Sequence, residues 1–307
     1  MPRYGPYSHY SGSIKLFFDS DSHTYLREYG PELVPQAGVT SVLRIIDKSE
    51  YLIPWASKRT VEKAAKLMPL ESDGLEDYTK SIPLAAFLDL LDQAKKAPRE
   101  ILEDAGDVGQ EAHRALENAI NFAISTNNGI VTKLVSEVKD PRAQLCCEAA
   151  LDWMRQHKVT WLNTECKIYS REYQFAGTMD GLAYVSSCTD RQCCPVHFMN
   201  KLSIIDWKSA NQLSVSYLYQ VAAYRYAQQE ETEFTPPVDD AFILRLGKED
   251  GKFEPWHSTW EDLDTDFKTF LSCLELTERH DATKARMSAA KKERTQRKRL
   301  AKKVAEW

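Results

Sequence analysis

FAGTMDGLAYVS (residues 175–186) and KLSIIDWK (residues 201–208) are two runs of strand composition joined by a polar, cysteine-rich connection. Side chains alternate along a strand, so Asp206 and Lys208 share one face of the second run and Trp207 points to the other. Ile204 and Ile205 place the end of this strand near a core, where charges need partners. A divalent cation is one such partner. It requires at least two hard oxygen ligands, and Asp180, in Gly177-Thr178-Met179-Asp180-Gly181, can supply the second. The glycines on either side suit a close approach of backbone to another group. Taken alone, Asp180 reads as an ordinary turn aspartate. In the company of Asp206 and Lys208 it reads as part of a site.

Outward from these runs the elements alternate. Residues 160–169 and 240–247 have strand composition, as do 252–257. Residues 214–229 form a helix capped by Ser214 or Ser216, and 259–280 a helix opened by Thr259 and acidic residues. Upstream, apolar spacing predicts helices at 40–47, 53–67, 83–96, 107–124 and 141–157. Residues 13–28 predict two strands around the polar turn Asp19–Ser22. The expected organisation is an N-terminal hairpin and helical region (1–158), a core of α/β (α+β) class with a central mixed sheet flanked by helices (159–281), and a basic C-terminal helix or tail (282–307).

Composition narrows the class. The chain has 307 residues, 43% hydrophobic and 28% charged, which is ordinary for a globular protein with a sizeable core. No apolar run approaches the ~18 residues of a membrane span, and the polar, aromatic N-terminus lacks the apolar core of a secretory signal. Seven cysteines, an odd number with adjacent pairs at Cys146–Cys147 and Cys193–Cys194, fit reduced thiols and a cytoplasmic location. Residues 284–303 hold ten Lys or Arg and one Glu, leaving −14 on the remainder against a total of −5. Such a basic segment on an acidic body suits an anionic partner, nucleic acid first, or equally a solvated helix end.

Two further pairs carry information. Gln220 and Tyr224 are four apart on one helix, hence on one face, although Tyr217 and Val221 beside them read as packing against the sheet. Gly109 and His113 lie on the helix predicted over 107–124, where a lone histidine is more often a surface or core residue than a ligand.

In chain order these pieces read GxxxH (Gly109, His113), GxxD (Gly177, Asp180), DxK (Asp206, Lys208) and QxxxY (Gln220, Tyr224). This order resembles the RecB-type, phage-exonuclease branch of the PD-(D/E)XK nucleases, which includes the mitochondrial genome maintenance exonuclease. The run HTYL…GVTSVLRIIDKSEYLIPWA is also similar to the opening of phage-type members. The likeness spans roughly residues 15–257.

The resemblance implies a restriction-endonuclease-like core and a metal-dependent DNA exonuclease or end-processing enzyme, in phage or mobile-element recombination, replication or repair. By the same likeness, Asp180 and Asp206 ligate Mg²⁺ or Mn²⁺, with the Trp207 carbonyl and the His113 imidazole completing the set. Lys208 orients the attacking water. Gln220 and Tyr224 position a phosphate or brace the site. Glu165 stands where many relatives carry a glutamate, as an outer residue of the site or an exposed strand carboxylate. The nitrogen ligand favours Mn²⁺ over Mg²⁺ in affinity, and activity is expected with either but not with Ca²⁺.

Relatives with an iron–sulfur cluster place one Cys before the GxxxH helix and three after the QxxxY helix. Here no Cys precedes Cys146 and only Cys273 follows Tyr224, so no cluster is expected. Cys188, Cys193, Cys194 and His197 do not have a standard zinc spacing and read as incidental. In relatives the helices before the core form an arch that restricts access to single strands or free ends. On the helix predicted over 53–67, Trp55 could stack on bases, or serve the core, while Lys58 and Arg59 meet phosphates. Arg245 reads as a phosphate contact or an outward strand cation. Lys291, Lys292, Arg294 and Arg297 are the basic segment's candidates for nucleic acid. The expected partners are DNA and a recombination or replication protein. The competing reading is a catalytically inactive nucleic-acid-binding protein on the same fold.

Overall fold

The structure is a computed structural model that describes residues 3–46, 49–67, 83–187, 200–231 and 237–305. Nine strands form one mixed, mostly antiparallel sheet with helices on both faces. Strands β1 (Arg3–His9), β2 (Ile14–Asp19), β3 (Thr24–Tyr29) and β4 (Glu32–Gly38) form an antiparallel meander. The expected turn is there, with Asp19 Oδ1 accepting from the amides of Asp21 (3.1 Å) and Ser22 (3.0 Å). The expected hairpin, however, is the middle of a four-stranded unit. Gly5, Pro6 and Pro35 read against strands, and strand pairing overrides them in β1 and β4.

Strand β5 (Val159–Ser170) pairs antiparallel with β6 (Phe175–Val185) along its length. The other edge of β6 is shared. Ala37 and Gly38 of β4 pair parallel with its first residues, and β7 (Lys201–Lys208) pairs antiparallel with its second half. Strand β8 (Asp240–Leu246) lies parallel to β7, and β9 (Phe253–Ser258) closes the edge antiparallel. A parallel neighbour needs a crossover, which here includes a helix over residues Val215–Glu231.

The helices in chain order are α1 (Val39–Val42), α2 (Ser49–Leu67), α3 (Leu84–Ala94), α4 (Ala97–Ser125), α5 (Pro141–His157), α6 (Val215–Glu231) and α7 (Trp260–Ala305). The helix expected over 40–47 is one α turn followed by a 3-10 turn at Leu43–Ile45. Helix α4 starts at Ala97 rather than 107, because an interior glycine such as Gly106 costs only ~1 kcal/mol and is carried by packing. Helix α7 runs through the expected boundary at 281–282. Residues 260–305 contain neither Gly nor Pro and are rich in strong helix formers. Asp140 caps α5 by accepting from the Arg142 amide at 2.8 Å, and the Arg142 guanidinium reaches Asp104 of α4 at 2.6 and 2.9 Å.

Each face of the sheet has its own core. On one, Leu116 and Ile120 of α4 and Trp153 of α5 pack with Trp161, Ile205, Trp207, Phe242 and Leu244. On the other, Val221 and Tyr224 of α6 and Phe267 and Phe270 of α7 pack with Met179, Ile204 and Ile243. The alternation expected of β7 is therefore present, with Ile204 facing α6 and Trp207 facing α5. Among the described residues no helix is long and apolar enough to cross a membrane. Cys188, Cys193, Cys194 and His197 lie outside the described residues.

Candidate metal centre

Strand β6 changes its in–out parity once. Met179 packs on the α6 side, whereas Ala183 and Val185, of the same parity, pack on the α5 side. Gly181 already faces the α5 side, since a Cβ there would stand 2.3 Å from the Trp161 ring. The change falls at Asp180. Opposite it, in unbroken register between the pairs Met179↔Cys166 and Gly181↔Thr164, stands Glu165, which takes φ 50°. The Thr164 hydroxyl donates to the Asp180 carbonyl at 2.7 Å. Two carboxylates thus face each other at the parity change.

His113 reaches the same point from α4. Ligand atoms of His113, Glu165 and Asp180 lie within 4.8 Å of one another, with His113 Nδ1 3.8 Å from Asp180 Oδ2. Ligands on opposite sides of a Mg²⁺ ion at ~2.1 Å stand ~4.2 Å apart, so a small closure would let these three share an ion. Gly109, one turn before His113, has its missing Cβ 2.6 Å from Ser209 Oγ, which allows α4 to approach the end of β7. An open groove of about 420 Å³ runs along this helix, lined by Gly109, Gln110, His113, Arg114, Glu117 and Glu165.

Strand β7 is tied in by a backbone bond. The Trp207 amide donates to Asp180 Oδ2 at 2.9 Å. Its neighbour Asp206 is fully buried and ion-paired with Lys208, and Asp206 Oδ1 has no hydrogen-bond partner among the described residues. A buried carboxylate oxygen without a donor is a natural ligand for a hard cation. The chemistry of the donors, three carboxylates and one imidazole, also fits Mg²⁺ or Mn²⁺. Burial first, then the charge of Asp180, push the Asp206 carboxyl above the ordinary range, against the pull of Lys208. Burial works against the Lys208 ammonium, but Asp206 and Asp180 outweigh it and hold its pKa above the usual lysine value. The ammonium also lies over the Tyr217 ring at 4.9 Å.

Gln220 and Tyr224 are both buried, with Gln220 Nε2 donating to the Tyr224 hydroxyl at 2.7 Å. The Tyr224 ring occupies the space over Gly177, whose added Cβ would meet it at 2.6 Å. This spacing is packing that supports β6 beside Asp180. Arg245 donates to Glu254 across β8–β9 at 2.6 Å, as an outward strand cation does. Trp55 is half-buried on α2, Lys58 is exposed and Arg59 pairs with Glu62 at 2.8 Å. Helix α2 packs on α3 and α4. Lys291, Lys292, Arg294 and Arg297 are exposed on α7, Arg297 pairing with Glu293 at 2.6 Å. Sequence reasoning left Glu165 at the edge of the site, whereas it stands with His113 and Asp180. It did not single out Arg114 or Glu117. The available signal was Glu117 at i+4 from His113, on the same helix face.

Burial first, then Asp180, push the Glu165 carboxyl up to about 7 from 4.5. A carboxyl raised in the folded state contributes stability below its unfolded pKa and loses it as pH rises through the folded one. Without added metal, the Glu165 contribution should therefore fade between about pH 4.5 and about pH 7. A cation needs the deprotonated form, so the rise in Tm on adding Mn²⁺ should be small at about pH 5.5 and grow to about pH 8. Calorimetric scans with and without Mn²⁺ check this, and a rise independent of pH would contradict it. In comparisons with known proteins, the chain matches no family model and no curated protein.

Proposed function

We propose that this chain is a metal-dependent nuclease that hydrolyses DNA phosphodiester bonds, an exonuclease or end-processing enzyme on a PD-(D/E)XK-type core. The observation that carries the reading is the hydrogen bond from the Trp207 amide to Asp180. It joins the GxxD and DxK strands at the point where His113 and Glu165 converge. Asp180, Asp206 and His113, with Glu165 beside them, would hold Mg²⁺ or Mn²⁺. A divalent cation bound there supplies charge stabilisation for the pentavalent transition state and lowers the pKa of the attacking water. Lys208, held by Asp206 and lying over the Tyr217 ring, would orient that water and favour its deprotonated form. Gln220 and Tyr224 keep β6 and α6 in contact and so hold Asp180 in place.

The test is digestion of end-labelled single- and double-stranded DNA with Mg²⁺ and with Mn²⁺, beside a Lys208→Ala control. Cleavage by wild type and none by the variant is the expected result. Binding without cleavage under every condition would favour the inactive nucleic-acid-binding protein instead.

The basic end of α7 belongs to the same reading as an electrostatic arm for the DNA backbone. Residues 282–305 extend for about 36 Å as helix, and their described side chains are exposed. Deleting residues 284–307 should weaken DNA binding and flatten its dependence on salt, while cleavage at saturating DNA persists. Titrations at several salt concentrations check this, and an unchanged slope would remove the arm from the interface.

A further inference from the structure

Lys167 is a cation beside the carboxylates that the reading above leaves without a role. Its ammonium stands 3.8 Å from Glu165 Oε2 and points its charge between two rings, 5.6 Å from the Tyr7 centroid and 5.8 Å from that of Phe18. Its side chain is 14% exposed. A lysine this enclosed loses most of its rotamer freedom, which a merely solubilising cation has no reason to do. The rings come from β1 and β2, more than a hundred residues earlier in the chain, so the N-terminal meander closes one side of the candidate centre. Across β5–β6, Lys167 pairs with Thr178, whose hydroxyl meets the Tyr25 hydroxyl at 2.6 Å, two residues before Asp180. Tyr7 lies close enough to Glu165 for that carboxylate, after burial and Tyr4, to help raise its phenol pKa.

We infer that Lys167, oriented by Tyr7 and Phe18, is a phosphate-positioning residue that grips a backbone phosphate of the nucleic acid next to the one being cleaved. The inference rests on the nuclease reading and adds a binding site on the N-terminal meander. The physical case is electrostatic. Glu165 converges on His113 and Asp180 and its carboxylate lies 3.8 Å from the ammonium, so a phosphate drawn to those ligands comes within the field of that charge. A hydrogen bond from Nζ to the Glu165 carbonyl at 3.4 Å, together with cation–π contact from two rings, fixes the charge in place. Any cation shared among Glu165, His113 and Asp180 would compete with Lys167 for Glu165, and a phosphate would then be its nearest remaining anion.

The test uses the full chain with Mn²⁺ and single-stranded DNA, with kcat and KM measured over a range of salt. Lys167→Met is expected to raise KM about tenfold with kcat altered less than about threefold. Its plot of log KM against log salt should lose a slope of about 0.7, the value of one single-strand phosphate contact. Lys167→Arg should restore KM to within about threefold. Tyr7→Ala should raise KM less than Lys167→Met does, because Phe18 remains. A residue that only balances Glu165 would change the affinity for Mn²⁺, read by calorimetry, and leave the salt slope alone. That result overturns the inference while wild-type cleavage keeps the nuclease reading. Absence of cleavage and of binding in wild type overturns both. A Lys167→Met chain that fails to fold leaves Lys167→Arg and Lys167→Gln for the same slope measurement, and an unchanged slope in Lys167→Gln also overturns the inference.

Discussion

Asp180→Asn should lower the cleavage rate at least about a thousandfold while the protein remains folded. Asparagine keeps the shape of the side chain and an oxygen to accept from the Trp207 amide, so the bond that ties β6 to β7 survives. What it removes is a full negative charge from a cluster where His113 and Glu165 would be left to hold a cation. Affinity for Mn²⁺ should fall by an order of magnitude or more. The same change has a second signature. The charge of Asp180 is, after burial, the next cause of the high Glu165 pKa, so that carboxyl should titrate lower in the variant. Single-turnover digestion over a Mn²⁺ titration measures the first effect, and pH-dependent NMR of the Glu165 carboxyl measures the second. A variant retaining a tenth of wild-type cleavage at saturating Mn²⁺ would remove Asp180 from the chemistry.

The parts of this fold that are local in origin were legible in the chain. Strand β7 shows the two-residue period that places Asp206 and Lys208 opposite Trp207. Helix α6 shows the four-residue spacing of Gln220 and Tyr224, and the turn at Asp19 follows from its own side chain. The parts that depend on partners were not legible. Strands β1 and β4 carry prolines and exist because β2, β3 and β6 offer them edges. The glycine at 181 is required because the Trp161 ring fills the space a Cβ would need, a contact between residues of different strands. Glu165 converges on Asp180 because the antiparallel register of β5 and β6 sets the two opposite each other, which no spacing within β5 announces. The partner of Arg245 is likewise a matter of register, since Glu254 is its direct neighbour across β8–β9. The continuous α7 shows the converse, because a segment with no apolar face reads equally as a helix or a tail although its residues are strong helix formers.

The aromatic core behind β7 predicts the largest change in stability. Trp153 is fully buried and contacts Trp207 edge-on at 6.2 Å and Phe242 at 5.5 Å, while His157 stacks on it at 4.8 Å. Trp153→Ala removes that ring from a close-packed layer, and α5 cannot close the gap without losing its bond pattern to α4 at Asp104. The expected cost is about 3–5 kcal/mol, a large part of the ~5–15 kcal/mol that keeps a domain folded. Trp153→Phe should cost clearly less. It keeps an aromatic ring in place and deletes an indole Nε1 that has no hydrogen-bond partner among the described residues. Urea unfolding of both variants measures the difference as a shift in midpoint at constant m-value. Trp161 still contacts Trp207 at 5.6 Å in either variant, so the strand carrying Asp206 and Lys208 keeps one of its two indole supports. The loss should therefore appear in stability far more than in cleavage per folded molecule. A Trp153→Ala protein as stable as wild type would mean that this layer does not hold the sheet against α5.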